Sequence, residues 1–123
     1  MKTARVILAL GSNTNQKENI SKAKQELTKL LPGIVFSEDM WTEPIGMVSD
    51  KFLNCMARAT TTTPLATLRQ EIKEIELTMG SKDHAANTVK IDIDLLQYGS
   101  RRYKEEDWKR DYVAQLKNKI MSK

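Results

Sequence analysis

Lys90-Ile91-Asp92-Ile93-Asp94-Leu95-Leu96-Gln97-Tyr98-Gly99 alternates. Ile91, Ile93 and Leu95 point one way and Asp92 and Asp94 the other, the pattern of a β-strand with one buried face. Asp is depleted in strands, so two on one face carry information. Side chains two apart on a strand lie ~6.5–7 Å from each other. Carboxylates at that spacing repel one another, yet they close readily on hard cations. Mg²⁺ suits such a place, because it takes one or two carboxylates, several waters and the phosphates of a substrate. The same pattern also describes a solvated strand face whose charges guard a sheet edge. The stretch by itself leaves both readings open.

Upstream of it, Thr63-Pro64 opens a helix, with Thr63 as cap and Pro64 in the first turn. Leu65, Leu68, Ile72, Ile75 and Met79 form its apolar stripe. Gly80 closes it, and residues 81–89 form a polar loop. Before the helix, residues 52–62 alternate. Leu53, Cys55, Ala57 and Ala59 share one face; Phe52, Asn54, Met56 and Arg58 share the other. An aromatic ring and an amide two residues apart suit a flat heterocycle, by stacking and hydrogen bonding. They suit ordinary packing as well.

Nearer the N-terminus, Val6-Ile7-Leu8-Ala9-Leu10 is a buried strand ending at Gly11-Ser12-Asn13-Thr14-Asn15. Asn13 or Asn15 is placed to cap the helix whose stripe is Ile20, Ala23, Leu27, Leu30 and Leu31. Pro32-Gly33 stops it, and Ile34-Val35-Phe36 reads as a second strand. Trp41-Thr42-Glu43-Pro44-Ile45-Gly46 reads as a loop, with Trp41 partly exposed. After Gly99, Trp108, Tyr112, Leu116 and Ile120 recur every four residues, as in one last helix. The order β-α-β-β-α-β predicts an α+β, ferredoxin-like fold: an antiparallel sheet with helices on one face, plus a C-terminal helix. Phe52, Asn54, Asp92 and Asp94 then share the opposite face.

The 123 residues suit a single domain over 1–123. With 40% hydrophobic and 29% charged residues the balance is that of a soluble domain. No apolar run approaches the ~20 residues that span a bilayer, and Lys2 and Arg5 flank too brief an apolar run for a signal peptide. Lone Cys55 excludes an intrachain disulfide and fits a reducing, cytoplasmic setting. One His and one Cys argue against a His/Cys zinc site. The net charge of +4 lies wholly in residues 101–123, since residues 1–100 hold 12 basic and 12 acidic side chains. That tail reads as a phosphate-meeting segment or as the solvated face of a helix.

These pieces, in this order over residues 4–99, resemble the 6-hydroxymethyl-7,8-dihydropterin pyrophosphokinase family of folate biosynthesis. The matching stretches are Ala9-Leu10-Gly11-Ser12-Asn13, Thr42-Glu43-Pro44-Ile45-Gly46, Phe52-Leu53-Asn54, Ile75-Glu76 and Ile91-Asp92-Ile93-Asp94-Leu95-Leu96 with Tyr98-Gly99. The resemblance implies an ATP-dependent diphosphokinase that passes pyrophosphate to the pterin hydroxymethyl group and releases AMP. It implies that Asp92 and Asp94 are catalytic and hold two Mg²⁺ ions on ATP. Phe52 and Asn54 would bind pterin, with Gly11, Thr42, Glu43 and Ile45 lining the same pocket. Glu76 would lie near the nucleotide. Lys82 and Lys90, with His84, are the nearest cations in the loop region. Where the family's loop carries two arginines and a Trp, this chain has Ser81, Val89 and Ala86, and the loop is about two residues shorter. The family's later His-Pro and Arg-x-Phe segments are replaced by one helix, so Arg101, Arg102 or Trp108 are the candidate substitutes. The expected partners are ATP and the reduced pterin, with no nucleic acid and no membrane; the oligomeric state is left open. A non-catalytic pterin- or nucleotide-binding relative is the alternative. An RNA-binding module of the same fold is a third, but the strands lack aromatic-rich RNP patterns.

Overall fold

The computed structural model describes residues 2–44, 49–80, 82–83 and 87–121, without the side chains of 82, 83 and 121. In chain order the elements are β1 (Ala4–Ser12), α1 (Gln16–Leu30), β2 (Val35–Phe36), β3 (Met40–Thr42), β4 (Phe52–Thr61), α2 (Leu65–Met79), β5 (Lys82–Asp83), β6 (Thr88–Val89), β7 (Asp92–Tyr98), β8 (Arg101–Arg102), α3 (Glu105–Trp108) and α4 (Asp111–Met121). The class is α+β. The main sheet is antiparallel, in the order β2-β4-β1-β7-β8, with β3 also on β4. A separate two-stranded ribbon joins β5 to β6.

Alternation decides which side each strand residue serves. Val6, Leu8 and Leu10 of β1, Leu53, Cys55, Ala57 and Ala59 of β4, and Ile93 and Leu95 of β7 form one core with Ile20, Ala23 and Leu27 of α1 and Leu68 and Ile72 of α2. The two long helices therefore cover one face, as alternation in the sequence implies. Gly80 takes the left-handed turn that ends α2, φ +76°, where a side chain would strain the backbone. Burial pushes the Cys55 thiol up to about 12, which leaves it a packing residue.

The opposite face is only half open. Val113, Leu116 and Ile120 of α4 cover Ile7, Ala9, Met56 and Leu96. The helices thus occupy both faces, because the parity that puts Asp92 and Asp94 outward also puts Met56, Leu96 and Ile7 there. Arg58, on the same face, donates from Nε to the Ile120 carbonyl at 2.8 Å and ties down the end of α4.

Several local expectations are corrected. The single last helix is two, broken after Trp108. Its indole Nε1 donates to the carbonyls of Leu96 at 3.1 Å and Tyr103 at 3.0 Å, which seats α3 on β7. Lys109 and Arg110 N–H groups then bond three residues back, the tight geometry of a helix end. Trp41-Thr42 lies in a strand, not a loop: Met40, Trp41 and Thr42 pair with Asn54, Leu53 and Phe52. Trp41 is 48% exposed, as expected of it. Asn15 occupies the cap of α1 in a left-handed conformation but makes no side-chain cap bond. Asn13 is a tether, not a cap. Its amide donates to the Asn87 carbonyl at 2.8 Å and accepts from the Val89 N–H at 2.6 Å, pinning β6 to the end of β1. At α2 the cap position falls to Pro64, one residue later than the Thr63 expected.

Leu116→Ala is expected to lower stability by ~2–5 kcal/mol, the cost of a cavity in a fully buried layer. Urea unfolding reads it. A loss under ~1 kcal/mol would mean that α4 does not hold the second layer.

Candidate functional site

The site is a trough over β1. Gly11 pairs with Asn54 of β4 on one side and Asp92 of β7 on the other; Ala9 likewise stands between Met56 and Asp94. The middle strand carries the two smallest side chains, and its neighbours carry the chemistry. Gly11 has an ordinary backbone, so its requirement is space. A Cβ there would stand 3.3 Å from Asn54 Oδ1 and 3.5 Å from the Phe52 ring.

Asn54 is buried and its orientation is fixed. Its Nδ2 donates to Thr42 Oγ1 at 2.7 Å and to the Met40 carbonyl at 3.2 Å. A carbonyl accepts only from the NH₂ end, so Oδ1 is turned toward Gly11 and the trough, as an acceptor. Phe52 lies one pair further along, opposite Thr42.

A cavity of about 320 Å³ collects these residues: Gly11, Thr42, Glu43, Phe52 and Asn54 on one flank, Asp92 and Asp94 on the other. Glu43 is exposed and reaches Lys51 at 3.4 Å. The C-terminal segment supplies the remaining wall, with Lys104, Asp107, Arg110 and Tyr112.

Lys104 Nζ lies 3.1 Å from Asp94 Oδ1. Burial raises the Asp94 carboxyl above its usual range, the charge of Asp92 adds to this, and Lys104 opposes both without cancelling them. Lys104 is raised in turn, chiefly by the charge of Asp94 and their hydrogen bond. Tyr112 is raised by burial, against the nearby Arg110.

A second cavity of about 480 Å³ opens on the far side of the same carboxylates. Arg69, Lys73 and Glu76 of α2 line it, with Ile93, Tyr103 and Lys104. Among the described residues the outer edge of β7 pairs with a strand at Gln97 and Tyr98 only, and Glu76 Oε2 accepts the Ile93 N–H at 2.8 Å. The Arg69 guanidinium stacks on Tyr103, 4.6 Å from its centroid. Asp92, Asp94 and Lys104 line both cavities.

Asp92, Asp94, Gly11, Thr42, Glu43, Phe52 and Asn54 are therefore brought together, and Glu76 lies across the carboxylates from them. Ile45, Gly46, Ser81, His84 and Ala86, and the Lys82 side chain, lie outside the described residues. Lys90 lines neither cavity; its Nζ stands beside Gly80. Arg102 stacks on Trp108 at 4.2 Å and Arg101 lies 5.8 Å from Tyr103. Sequence reasoning missed Lys104, Asp107, Arg110 and Tyr112 as site walls, and Arg69 and Lys73 beside Glu76. The one available signal was the basic excess after residue 100.

Among the described residues no group of three or more His, Cys, Asp or Glu is set to hold a metal. Two half-buried carboxylates on a cavity wall nevertheless fit Mg²⁺, which leaves most of its shell to water and phosphate. Asp94 is raised chiefly by burial and then by the charge of Asp92, against Lys104.

A family model described as 7,8-dihydro-6-hydroxymethylpterin-pyrophosphokinase (HPPK) matches residues 7–122. The chain belongs to the HPPK family. No curated protein matches it. Among solved structures a de novo designed protein, Foldit4, is similar with a TM-score of 0.40 and 8% identity, over 82% of this chain and 100% of that one; a likeness of that size carries no argument. The family match extends over the C-terminal segment, where the sequence departs from the HPPK pattern but the chain still walls the site. No described helix is long and apolar enough to cross a membrane.

The shift at Asp94 has a sign. A carboxyl raised above its unfolded value near 3.8 favours the fold below that pH and loses the advantage as pH climbs through the higher folded value. Metal-free Asp94→Asn is therefore expected to unfold at higher urea than wild type near neutral pH. The gain should shrink toward about pH 3, where both side chains are neutral. An unchanged midpoint near neutrality would show that Lys104 already offsets the buried charge.

Proposed function

We propose that this chain is a working pyrophosphokinase that transfers the β,γ-pyrophosphoryl unit of ATP to the hydroxymethyl group of a reduced pterin. The observation that carries the reading is the position of Asp92 and Asp94 on the wall common to two cavities, one with an aromatic ring and an oriented amide, the other with Glu76 and cations. In this reading the first cavity takes the pterin. Phe52 stacks on the ring and Asn54 Oδ1 accepts from its edge, while Gly11 leaves room for it and Thr42 holds the amide. Glu43 belongs to the same rim, and Ile45 is a pterin-binding candidate on the family resemblance alone. The second cavity takes the nucleotide, with Glu76 on its wall; Lys82 and Lys90 are nucleotide candidates on the family resemblance alone. Asp92 and Asp94 are the catalytic carboxylates and would hold two Mg²⁺ ions together with ATP. Those ions would supply charge neutralisation and fix the phosphate oxygens.

No Gly-x-x-x-x-Gly-Lys-Ser/Thr stretch exists in the sequence, so the phosphates must be held by other means than a P-loop. In-line transfer of this kind asks for positioning and charge more than for a covalent residue. The strand order β2-β4-β1-β7 supports the ferredoxin-like reading of the core. Four of the eight basic residues after residue 100 are engaged within the chain: Lys104 on Asp94, Arg102 on Trp108, Arg110 on Asp107 and Lys119 on Glu38. That favours small-molecule partners over nucleic acid, and the buried lone Cys55 fits a cytoplasmic protein.

The second reading, a relative that binds without turnover, rests on the absence of any arginine between Arg69 and Arg101. AMP release from ATP and Mg²⁺, with and without the reduced hydroxymethyl pterin, decides between them. Pterin-dependent AMP is expected, at a rate ~10²–10³ below that of a relative with the loop arginines. Nucleotide and pterin binding without AMP would establish the second reading.

Three variants check the residue roles. Asp92→Ala and Asp94→Ala should abolish Mg²⁺-dependent ATP binding and keep the fold, as neither belongs to a core cluster. Phe52→Ala should weaken pterin binding by ~1 kcal/mol or more. Equilibrium titration measures both, and unchanged affinities would remove these residues from the site.

A further inference from the structure

We infer that Lys104 is a catalytic residue of this chain: its ammonium, parked on Asp94 at rest, moves onto the β,γ-phosphates of bound ATP and stands where the family's loop arginines are missing. The inference rests on the pyrophosphoryl-transfer reading and goes beyond it by naming the cation.

Position is the first argument. The bond changes must occur where the two cavities meet, and the wall there consists of Asp92, Asp94 and Lys104. Of the described cations on these walls, Arg110 borders only the first cavity and Arg69 and Lys73 only the second. Lys104 borders both. In the step itself a lone pair of the pterin hydroxymethyl oxygen forms a bond to Pβ. The bond from Pβ to the oxygen bridging Pα breaks, and that oxygen leaves with its electrons on AMP. The hydroxyl proton passes to solvent. Negative charge gathers on the bridging oxygen and the Pβ oxygens, which is what an adjacent ammonium stabilises.

Conformation is the second argument. Lys104 sits at φ +53°, a left-handed position uncommon for a residue with a side chain. It is held from both sides. The Tyr103 N–H bonds the Leu96 carbonyl at 2.9 Å, the Trp108 indole bonds the Tyr103 carbonyl at 3.0 Å, and the Asp107 N–H bonds the Lys104 carbonyl at 2.9 Å. The backbone is thus fixed while the side chain, about half exposed, keeps its flexible stem.

Availability is the third. With Mg²⁺ held by Asp94, the Lys104 ammonium would lose its resting counter-charge and be free to meet a phosphate. Arg102 and Arg101, by contrast, lie over aromatic rings.

The test uses Lys104→Ala and Lys104→Arg in the full chain. Mn²⁺ alone, followed by electron paramagnetic resonance, should bind about tenfold tighter to Lys104→Ala, because a competing cation is gone from Asp94. In Mg²⁺, calorimetry compares α,β-methylene ATP with AMP. With Mg²⁺ held at saturation in both titrations, the ratio of the two affinities reports on contacts to the β,γ-phosphates. That ratio should fall about tenfold in Lys104→Ala and recover in Lys104→Arg. Single-turnover AMP formation should fall ~10²-fold in the Ala variant and largely recover with Arg. Tighter Mn²⁺ binding with an unchanged ratio and unchanged AMP formation would reduce Lys104 to a resting counter-ion and overturn the inference. Absence of AMP formation by wild type would overturn the active-enzyme reading instead, and the affinity ratio would still judge whether Lys104 meets the phosphates.

Discussion

The register of β1 between β4 and β7 is the constraint on which everything else depends. A strand paired on both sides cannot slide by one residue without turning its whole apolar set to the wrong face. Val6, Leu8 and Leu10 face α1 and α2, so Ala9 and Gly11 must face the other way, and their antiparallel partners with them. Asn54 and Asp92 come level with Gly11, and Asp94 with Ala9, through backbone pairing alone. No contact between the polar side chains is needed to gather them. A core of aliphatic residues on one side thus fixes the geometry of a polar site on the other.

The sheet then has to reconcile two demands on β7. Asp92 and Asp94 must stay open, whereas Leu96, of the same parity, must be covered. The register shifts at this point. Leu8 pairs with Leu95 and Ile7 with Gln97, so Leu96 is an extra residue on β7. The shift returns Tyr98 to the core of α1 and α2, while Leu96 keeps the parity of Asp94 and lies under α4. The Leu96 carbonyl then accepts from Tyr103 N–H and Trp108 Nε1. The irregularity that ends the carboxylate face is therefore also the anchor of the segment that walls the site.

This explains what the sequence revealed and what it withheld. Alternation is a local property, so Ile91 to Leu95 and Leu53 to Ala59 declared their buried faces, and the shared face of Phe52, Asn54, Asp92 and Asp94 followed. The helices on either side were marked by spacing and by Gly80. The break at Trp108 was hidden because Trp108, Tyr112, Leu116 and Ile120 keep a helical interval across it. What breaks the helix is a pair of indole hydrogen bonds, one of them to a carbonyl twelve residues back in β7, and no local pattern encodes that. Asn13 misled in the same way. An Asn before a helix reads as a cap, but its amide is spent on Asn87 and Val89, more than seventy positions away.

The positive charge of the site shows the same limit most plainly. From sequence, a cation is sought near the motif it is to serve, which led to Lys82, Lys90, Arg101 and Arg102. In the fold, distance along the chain is not distance to the carboxylates. Lys90, two residues from Asp92, lines neither cavity, whereas Lys104, ten residues beyond Asp94, lies on it. Tyr103 bonding back to Leu96 folds the chain over the outer face and brings residue 104 level with residue 94. A loop arginine and a lysine held by a left-handed bend are different solutions to one electrostatic need. The first brings a planar fork; the second brings a point charge on a flexible stem. Lys104 has a half-exposed stem and its ammonium on Asp94, on the wall that the two cavities share.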